Sequence, residues 1–436
     1  MSGRGRSLAS PGGKGRGKML LAAVLTLALL VTGASSALAD APQPKNIIYM
    51  IGDGMGHVQL EVARLVKGGP LAMDLFPVQH KAANASLDNA VTDSAAAGTA
   101  HATGYRTNNG MVAMLPDGRE LTSALRIAQA AGKATGVVVT DIVYGATPGS
   151  YLATVNNRSE QNAILEQALF RTQPDVLLGG GLSVFNAIGG ADRLAETPYD
   201  FVTTRDALLA WEPISGRKLL GLFASSTMSY ELDRPANEPH IVEMVHAALE
   251  FLSQSDAGFF LMVEGSRIDH AGHANDLLRG IHETLAFDQA VELVLNFAEE
   301  RGDTLVVVTA DHETGGLTAP TKKPSPVVMD RGVSTVASEI RAALNQNPDA
   351  NIVELFARYA GIDDLTSRVQ AGNLDELIRS VLSDRAFTYT TTNHTAAPVP
   401  VLAFGPGAEL FAEVEHIADM GRLTIELLGG SAGGDR

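Results

Sequence analysis

Glu264, Asp269, His270 and His273 crowd carboxylate oxygens and imidazole nitrogens into the ten residues Glu264-Gly-Ser-Arg-Ile-Asp-His-Ala-Gly-His273. Such donors together suit a metal ion, and Asp269 and His273 would share one face of a helix at the i, i+4 spacing. The stretch follows the apolar run Gly258-Phe-Phe-Leu-Met-Val263, so a buried strand would deliver these groups at its end. Charged residues also commonly close a strand and open a loop. Taken alone, the stretch fits either description.

Two further segments carry chemistry-bearing residues. Gly52-Asp-Gly-Met-Gly56 follows another apolar run. It is not a dinucleotide fingerprint, because the glycines are spaced G-x-G-x-G and Asp53 would repel a phosphate unless a cation lay between them. An aspartate flanked by residues without bulk suits close approach of a metal ion instead. In Val91-Thr-Asp-Ser-Ala-Ala-Ala-Gly-Thr-Ala-His-Ala-Thr-Gly104, a helix starting near Ser94 would aim its first amides at an anion. Serine and aspartate are also ordinary helix caps, and small residues pack tightly. Nothing resembles Gly-x-Ser-x-Gly, so activation of Ser94 would fall to a metal ion that lowers the hydroxyl pKa.

The elements that must position these groups alternate between short apolar runs and segments of helical period, the pattern of an α/β protein with a mostly parallel central sheet flanked by helices. Strands are expected at Asn46–Ile51, Thr135–Thr140, Asp175–Leu178, Lys218–Phe223, Gly258–Val263, Thr304–Thr309 and Val399–Phe404. Helices are expected at about 121–131, 160–170, 240–252, 283–300 and 408–428. On this map Asp53, Asp141 with Thr147, Glu264, and Asp311 with His312 each follow a strand. Carboxyl ends of parallel strands share one edge, so residues far apart in sequence would converge there. That convergence favours the metal site over scattered surface charge. Between His312 and the later His394, about 318–390, the sequence reads as a helical insertion before the last strand, with amphipathic pieces near 333–344, 352–359 and 374–382.

The whole chain of 436 residues is acidic, with a formal net charge of −16, and it contains no cysteine. Nucleic acid and anionic membrane surfaces are poor general partners for such a chain, no nucleic-acid-binding module is evident, and disulfides and thiolate sites are excluded. Residues 1–39 have the form of an export signal: basic Arg4, Arg6, Lys14, Arg16 and Lys18, the apolar Met19–Val31, then Ala37-Leu-Ala39 before Asp40. The apolar segment is shorter than the roughly 20 residues needed to span a bilayer. We therefore expect cleavage after Ala39, no stable membrane span thereafter, a periplasmic or extracellular protein, and one catalytic domain over 40–436 that includes the insertion.

The chain resembles the bacterial alkaline phosphatases. The resemblance rests on Asn46-Ile-Ile-Tyr-Met-Ile-Gly-Asp-Gly-Met-Gly56, Thr92-Asp-Ser-Ala-Ala-Ala-Gly-Thr-Ala100, Thr103-Gly-Tyr-Arg-Thr-Asn-Asn-Gly110, Ala146-Thr-Pro-Gly149, Glu264 to His273, Thr309-Ala-Asp-His-Glu-Thr-Gly-Gly316 and Asn393-His-Thr395, in the family's order. It implies hydrolysis of phosphate monoesters through a phosphoserine on Ser94 at a two-zinc centre. One zinc would be held by Asp269, His273 and His394, the other by Asp53, Asp311 and His312 with Ser94. A third site, normally Mg2+, would use Asp53, Thr147 and Glu264. Arg158 would clamp the phosphate, Asp93 would hold Arg158, and His270 would lie toward the phosphate. The insertion corresponds in position to the family's variable crown, and a homodimer is implied.

One departure stands out: Gly145 replaces the family's aspartate or histidine that supports the third metal, which should weaken or alter that site. A diesterase or phosphonate hydrolase on the same fold is the nearest rival, disfavoured by Arg158, since a dianionic monoester rewards an extra cation. A sulfatase nucleophile motif is not evident, and a binding protein without turnover would not require a hydroxyl facing a metal. His57, His80, His101, His240, His246, His282 and His416 are expected to be structural or surface residues.

Overall fold

The computed structural model describes residues 42–431 apart from 196, 332, 349, 364–377, 379, 380 and 383, together with Gly3. The expected leader with its cleavage point, and most of the expected helix at 374–382, lie outside the described residues.

From Pro44 onward the chain builds a nine-stranded sheet. In chain order its strands are β1 (Asn46–Ile51), β2 (Val78–Ala82), β3 (Ala134–Ile142), β4 (Val176–Gly180), β5 (Tyr199–Val202), β6 (Lys218–Leu222), β7 (Phe259–Glu264), β8 (Thr304–Thr309) and, after the short pair β9 (Glu313–Thr314) and β10 (His394–Thr395), β11 (Val399–Phe404). Their order across the sheet is β2-β11-β8-β1-β7-β3-β4-β6-β5. Every pairing from β8 to β5 is parallel, whereas β11 runs antiparallel to both β8 and β2. β1, β7 and β8 are buried over their full lengths, as strands covered on both faces by helices must be, and their sequences are accordingly unbroken apolar runs.

All seven expected strands are present. Within the nine-stranded sheet, the two that sequence did not reveal, β2 and β5, are its edges. β2 exposes Gln79, His80 and Lys81, so it lacks the apolar run that betrays a buried strand. The long helix Leu277–Arg301 begins a turn and a half earlier than its apolar period suggests, because the Asp276 carboxylate caps it by accepting from Arg279 N.

This topology determines which residues can meet. β8, β1, β7 and β3 are neighbours in that order, so the residues after β8 and β1, at the end of β7 and at the end of β3 share one edge. Ile51 is level with both Glu264 and Thr309, and Val139 is level with Glu264. Because β11 is antiparallel, its beginning lies at the same edge: Val401 pairs with Thr309. His394, just before β11, is brought back to β8 in this way.

The insertion hangs between β9 and β10. Its described helices Pro326–Arg331, Val333–Gln346 and Ile352–Ala360 enclose a core of their own that includes Val336, Ile340, Phe356, Ile378 and Leu382. Its two ends are tied by the antiparallel pairing His394 with Thr314 and by the bridge between Thr318 and Thr388. Glu313 anchors this closure, accepting from Gln59 Nε2, Gly316 N, Leu317 N and Thr395 Oγ1. Glu313→Ala should therefore lower stability by about 3 kcal/mol, since it strands buried donors, and should loosen His394; denaturant unfolding together with the metal content of the purified protein measures both.

Candidate metal centre

The helix Ser94–Thr103 shows why its sequence is made of small residues. All ten of its residues are buried, and a Cβ placed on Gly98 would lie 3.1 Å from Thr147 Cα and 3.0 Å from Ser150 Oγ. Tight packing and the proposed anion-facing role thus coincide, because the close approach sets Ser94 and Thr147 on adjoining helices, Ser94–Thr103 and Ala146–Leu152. Asp93 caps the first of these helices by accepting from Ala96 N at 3.0 Å. Its other oxygen accepts from Gly110 N at 3.0 Å and from Arg158 Nη1 at 3.2 Å. Arg158 is thereby aimed beside Ser94.

Glycines of the segment 52–56 work differently from the sequence expectation. Gly54 has φ +75°, and a Cβ there would meet Asp269 Cα at 2.7 Å; at Gly56 a Cβ would meet Glu313 Cγ at 2.3 Å. Their missing side chains admit the neighbouring protein segments that carry Asp269 and Glu313, not an ion directly.

Two donor sets converge: Asp53, Asp311 and His312, and Asp269, His273 and His394. In the first, His312 Nε2 lies 3.1 Å from Asp311 Oδ2, 3.2 Å from Ser94 Oγ and 3.6 Å from Asp53 Oδ1. A tetrahedral cation with bonds of about 2.0 Å has ligand–ligand edges of about 3.3 Å, so this spacing fits a zinc-sized ion. The remaining bonding capacity agrees. Asp311 Oδ1 is occupied by Gly54 N at 3.2 Å and His312 N at 2.8 Å, while Asp311 Oδ2 and Asp53 Oδ1 are buried without any hydrogen-bond partner.

In the second set, His273 Nε2 and His394 Nε2 are 3.1 Å apart, and each is 3.4 Å from an oxygen of Asp269. The opposite nitrogens meet main-chain carbonyls, His273 Nδ1 at 2.6 Å from Thr392 O and His394 Nδ1 at 3.0 Å from Thr92 O. A carbonyl only accepts, so both Nδ1 atoms carry hydrogen and both Nε2 atoms of the neutral rings present lone pairs, as metal-ligating histidines do. The His273 side chain is 40% exposed against 0% for His312, so this second set opens more widely to solvent than the first. Stacking of the His312 and His394 rings, with centroids 3.5 Å apart, joins the two sets, as does Thr314 Oγ1, which donates to Asp269 Oδ1 at 2.5 Å and lies 3.2 Å from His312 Nδ1.

A third group of orphaned oxygens adjoins the first set: Thr147 Oγ1, Glu264 Oε2 and Asp141 Oδ1 are all buried without a partner. The sequence map placed Asp141 at the end of β3 on the same edge as Asp53 and Glu264 but assigned it no role there. Arg267, also given no role, donates to His270 Nδ1 at 2.7 Å and stacks its guanidinium over the Tyr230 ring at 3.7 Å. A guanidinium cannot accept, so His270 Nδ1 is the acceptor and the neutral ring keeps its hydrogen on Nε2.

Electrostatics follow from this crowding. Burial first, then the Asp311 charge, raises Asp53 well above the ordinary carboxylate range; burial first, then Asp141, does the same to Glu264. Asp311 is pushed up to about 6 by burial and then by Asp269. Burial and then the charge of His394 hold His312 far below its usual value. Burial opposes ionisation of Asp269 too, but its hydrogen bond with His394 and the neighbouring imidazoles outweigh it and hold the carboxyl low. These groups repel one another as protein atoms alone, and cations among them would reverse the balance.

Of the histidines expected to be structural, His101 is buried, with Tyr49 Oη 2.7 Å from its Nδ1 and Ala310 O 3.3 Å from its Nε2. His240 and His416 cap helices, accepting from Val242 N and Ala418 N respectively. None of the others belongs to either donor set.

The comparisons with known proteins agree with this geometry. The family model described as Alkaline phosphatase matches residues 44–427. The chain is 32% identical to alkaline phosphatase 4 of Bacillus subtilis over 425 residues, covering 91% of each chain. It is 34% identical to streptomycin-6-phosphate phosphatase of Streptomyces griseus over 482 residues, covering 94% of this chain and 97% of that one. Among solved structures, a histidine-to-glutamate mutant of the alkaline phosphatase from the Antarctic bacterium TAB5, with Mg bound in its M3 site, superposes with a TM-score of 0.71 at 27% identity, covering 90% of this chain and 100% of that one.

Burial lowers the His101 pKa to about 3. Its neutral form is thus favoured in the folded state, and the stability this contributes is present above the ordinary histidine value and lost as pH falls toward 3. His101→Gln should be less stable than the parent at pH 7 but should lose about 2 kcal/mol less between pH 7 and pH 5, measured by denaturant unfolding of both zinc-loaded proteins.

Proposed function

The chain belongs to the alkaline phosphatase family and is a phosphomonoesterase, and we propose that it works by transferring the phosphoryl group to Ser94 and then to water. The observation that carries this mechanism is the position of Ser94 Oγ, 3.2 Å from His312 Nε2 beside the orphaned oxygens of Asp53 and Asp311, at the first turn of a buried helix.

Two zinc ions suit the mixed imidazole and carboxylate sets, one with Asp53, Asp311, His312 and Ser94, the other with Asp269, His273 and His394; when bound they would supply Lewis-acid charge that acidifies the attacking hydroxyl and offsets charge on the leaving oxygen. The orphaned Thr147 Oγ1 and Glu264 Oε2, with the Asp53 carboxylate shared between the two sites, form an all-oxygen set that suits Mg2+. Support for magnesium also comes from the TAB5 mutant, whose M3 site binds Mg.

Ser94 Oγ attacks phosphorus in line, the bond to the ester oxygen breaks, and the alcohol departs after gaining a proton. Arg158, oriented by Asp93, donates to the nonbridging oxygens, and the amides at the start of the helix Ser94–Thr103 face the same anion. His270, kept as an Nε2–H donor by Arg267, supplies a further hydrogen bond on the phosphate side. Water then attacks phosphorus, the Oγ–P bond breaks, and inorganic phosphate leaves with Ser94 restored. Phosphoryl transfer needs mainly such positioning and charge stabilisation.

We further propose export directed by residues 1–39, a crown-like role for the insertion and a homodimer, on the strength of the sequence resemblance. Among the described residues, no helix is long and apolar enough to cross a membrane.

Ser94→Ala should lower kcat for p-nitrophenyl phosphate by on the order of 1,000-fold or more and abolish the +80 Da adduct trapped by acid quenching and read by intact mass; full activity in the zinc-replete variant would overturn the mechanism. Arg158→Ala should cost about 100-fold in kcat/KM for the monoester and far less for bis-p-nitrophenyl phosphate. An equal loss on both esters would remove the argument that Arg158 selects the dianion.

A further inference from the structure

Position 145 supports the third cation in the family resemblance, yet here it carries no side chain. Backbone geometry does not require glycine there: Gly145 has φ −59° and ψ 170°, open to any residue, and it precedes the helix Ala146–Leu152 as its cap. What distinguishes the position is its neighbour. A Cβ on Gly145 would lie 3.3 Å from Asp141 Oδ2 and 3.2 Å from the Ile142 carbonyl oxygen. The Asp141 carboxylate therefore occupies the space into which a side chain at 145 would begin.

Asp141 also points where such a side chain would be useful. Val139 is level with Glu264 across β3 and β7, and Asp141, two residues further along β3, lies nearer the carboxyl edge, where the strand bulges between Val138 and Ile142. Its Oδ1 is buried without a hydrogen-bond partner, as are Glu264 Oε2, Thr147 Oγ1 and Asp53 Oδ1. Thr147 and Glu264 are each only 2% exposed, and Asp53 is 7% exposed. Two of these residues lie on strands or just beyond them at the same edge as Asp141, and buried carboxylate oxygens left without donors suit a cation better than a solvated acidic patch does. The Asp141 charge is among those that raise Glu264, so the two carboxylates lie within electrostatic reach of each other.

We propose that Asp141 replaces the absent side chain at position 145, holding the third cation together with Asp53, Thr147 and Glu264. The supporting carboxylate has moved from the helix cap to the end of β3, four residues earlier in the chain. Four oxygen-bearing side chains and no imidazole make the pocket selective for a hard cation such as Mg2+. The charges of His270, Arg267 and Arg158 all act on Asp141, which places it within electrostatic reach of the phosphate side of the centre. The inference rests on the third-cation reading above.

The experiment titrates magnesium chloride calorimetrically into zinc-loaded, magnesium-free protein, with zinc counted by elemental mass spectrometry. The parent should bind Mg2+ saturably. Asp141→Asn should retain its zinc and bind Mg2+ about 10-fold or more weakly. The exchange Asp141→Ala with Gly145→Asp frees the crowded space and returns a carboxylate from the other side, so it should regain Mg2+ affinity. Unchanged Mg2+ affinity in Asp141→Asn would overturn the assignment, including the case in which only the pH profile moves because Asp141 serves His270 alone; so would an exchange variant that folds, binds zinc and fails to recover Mg2+. If the parent itself takes up no Mg2+, the third-cation reading fails, and the role of Asp141 with it.

Discussion

His273 Nε2 and His394 Nε2 face each other at 3.1 Å while main-chain carbonyls engage both opposite nitrogens. Two lone pairs at that distance are repulsive unless a cation, or a proton carried by one of the rings, lies between them. The same holds a few ångströms away for Asp53 Oδ1 and Asp311 Oδ2, buried and unpartnered beside His312. Desolvated carboxylates that raise one another's pKa are costly to assemble, and a protein retains such an arrangement when a ligand repays it. Dependence on cations thus pervades the fold: the sheet order, the glycines that admit Asp269 and Glu313, and the closure around His394 all serve to hold this charge in place.

The sheet meets that demand through one departure from a parallel design. Parallel β8, β1, β7 and β3 supply Asp311 with His312, Asp53, Glu264 and Asp141 from adjacent carboxyl ends. An antiparallel β11 lets the chain deliver His394 from the amino end of a strand to the same edge. Glu313, with its four donors, and the β9–β10 pairing pin the points where the insertion leaves and returns, so a long excursion with its own apolar core does not alter the spacing of His312 and His394. Loop length costs little once the ends are fixed.

Much of this was legible in the sequence, for identifiable reasons. Interior strands announce themselves as unbroken apolar runs, so β1, β7 and β8 could be read directly, and the residues that follow them became candidates by position. β2 and β5 were illegible because edge strands need no such run, and β9 and β10 because two-residue pairs carry no period. Resemblance supplied the partition of Glu264, Asp269 and His273 between sites; no spacing rule separates them. Asp141 could be placed on the ligand edge by position but not given a role, because no spacing rule relates it to position 145, four residues later. Only coordinates show that its Oδ2 sits 3.3 Å from where a Cβ at 145 would be.

The central claim is that two separate cations, and not a network of protein hydrogen bonds, reconcile these donors. Anomalous diffraction from zinc-grown crystals, collected on both sides of the zinc absorption edge, tests it most directly. Two zinc peaks are expected, one enclosed by Asp53, Asp311, His312 and Ser94 Oγ and one by Asp269, His273 and His394. A single peak, or ordered water bridging the His273 and His394 nitrogens in place of a metal, would contradict it.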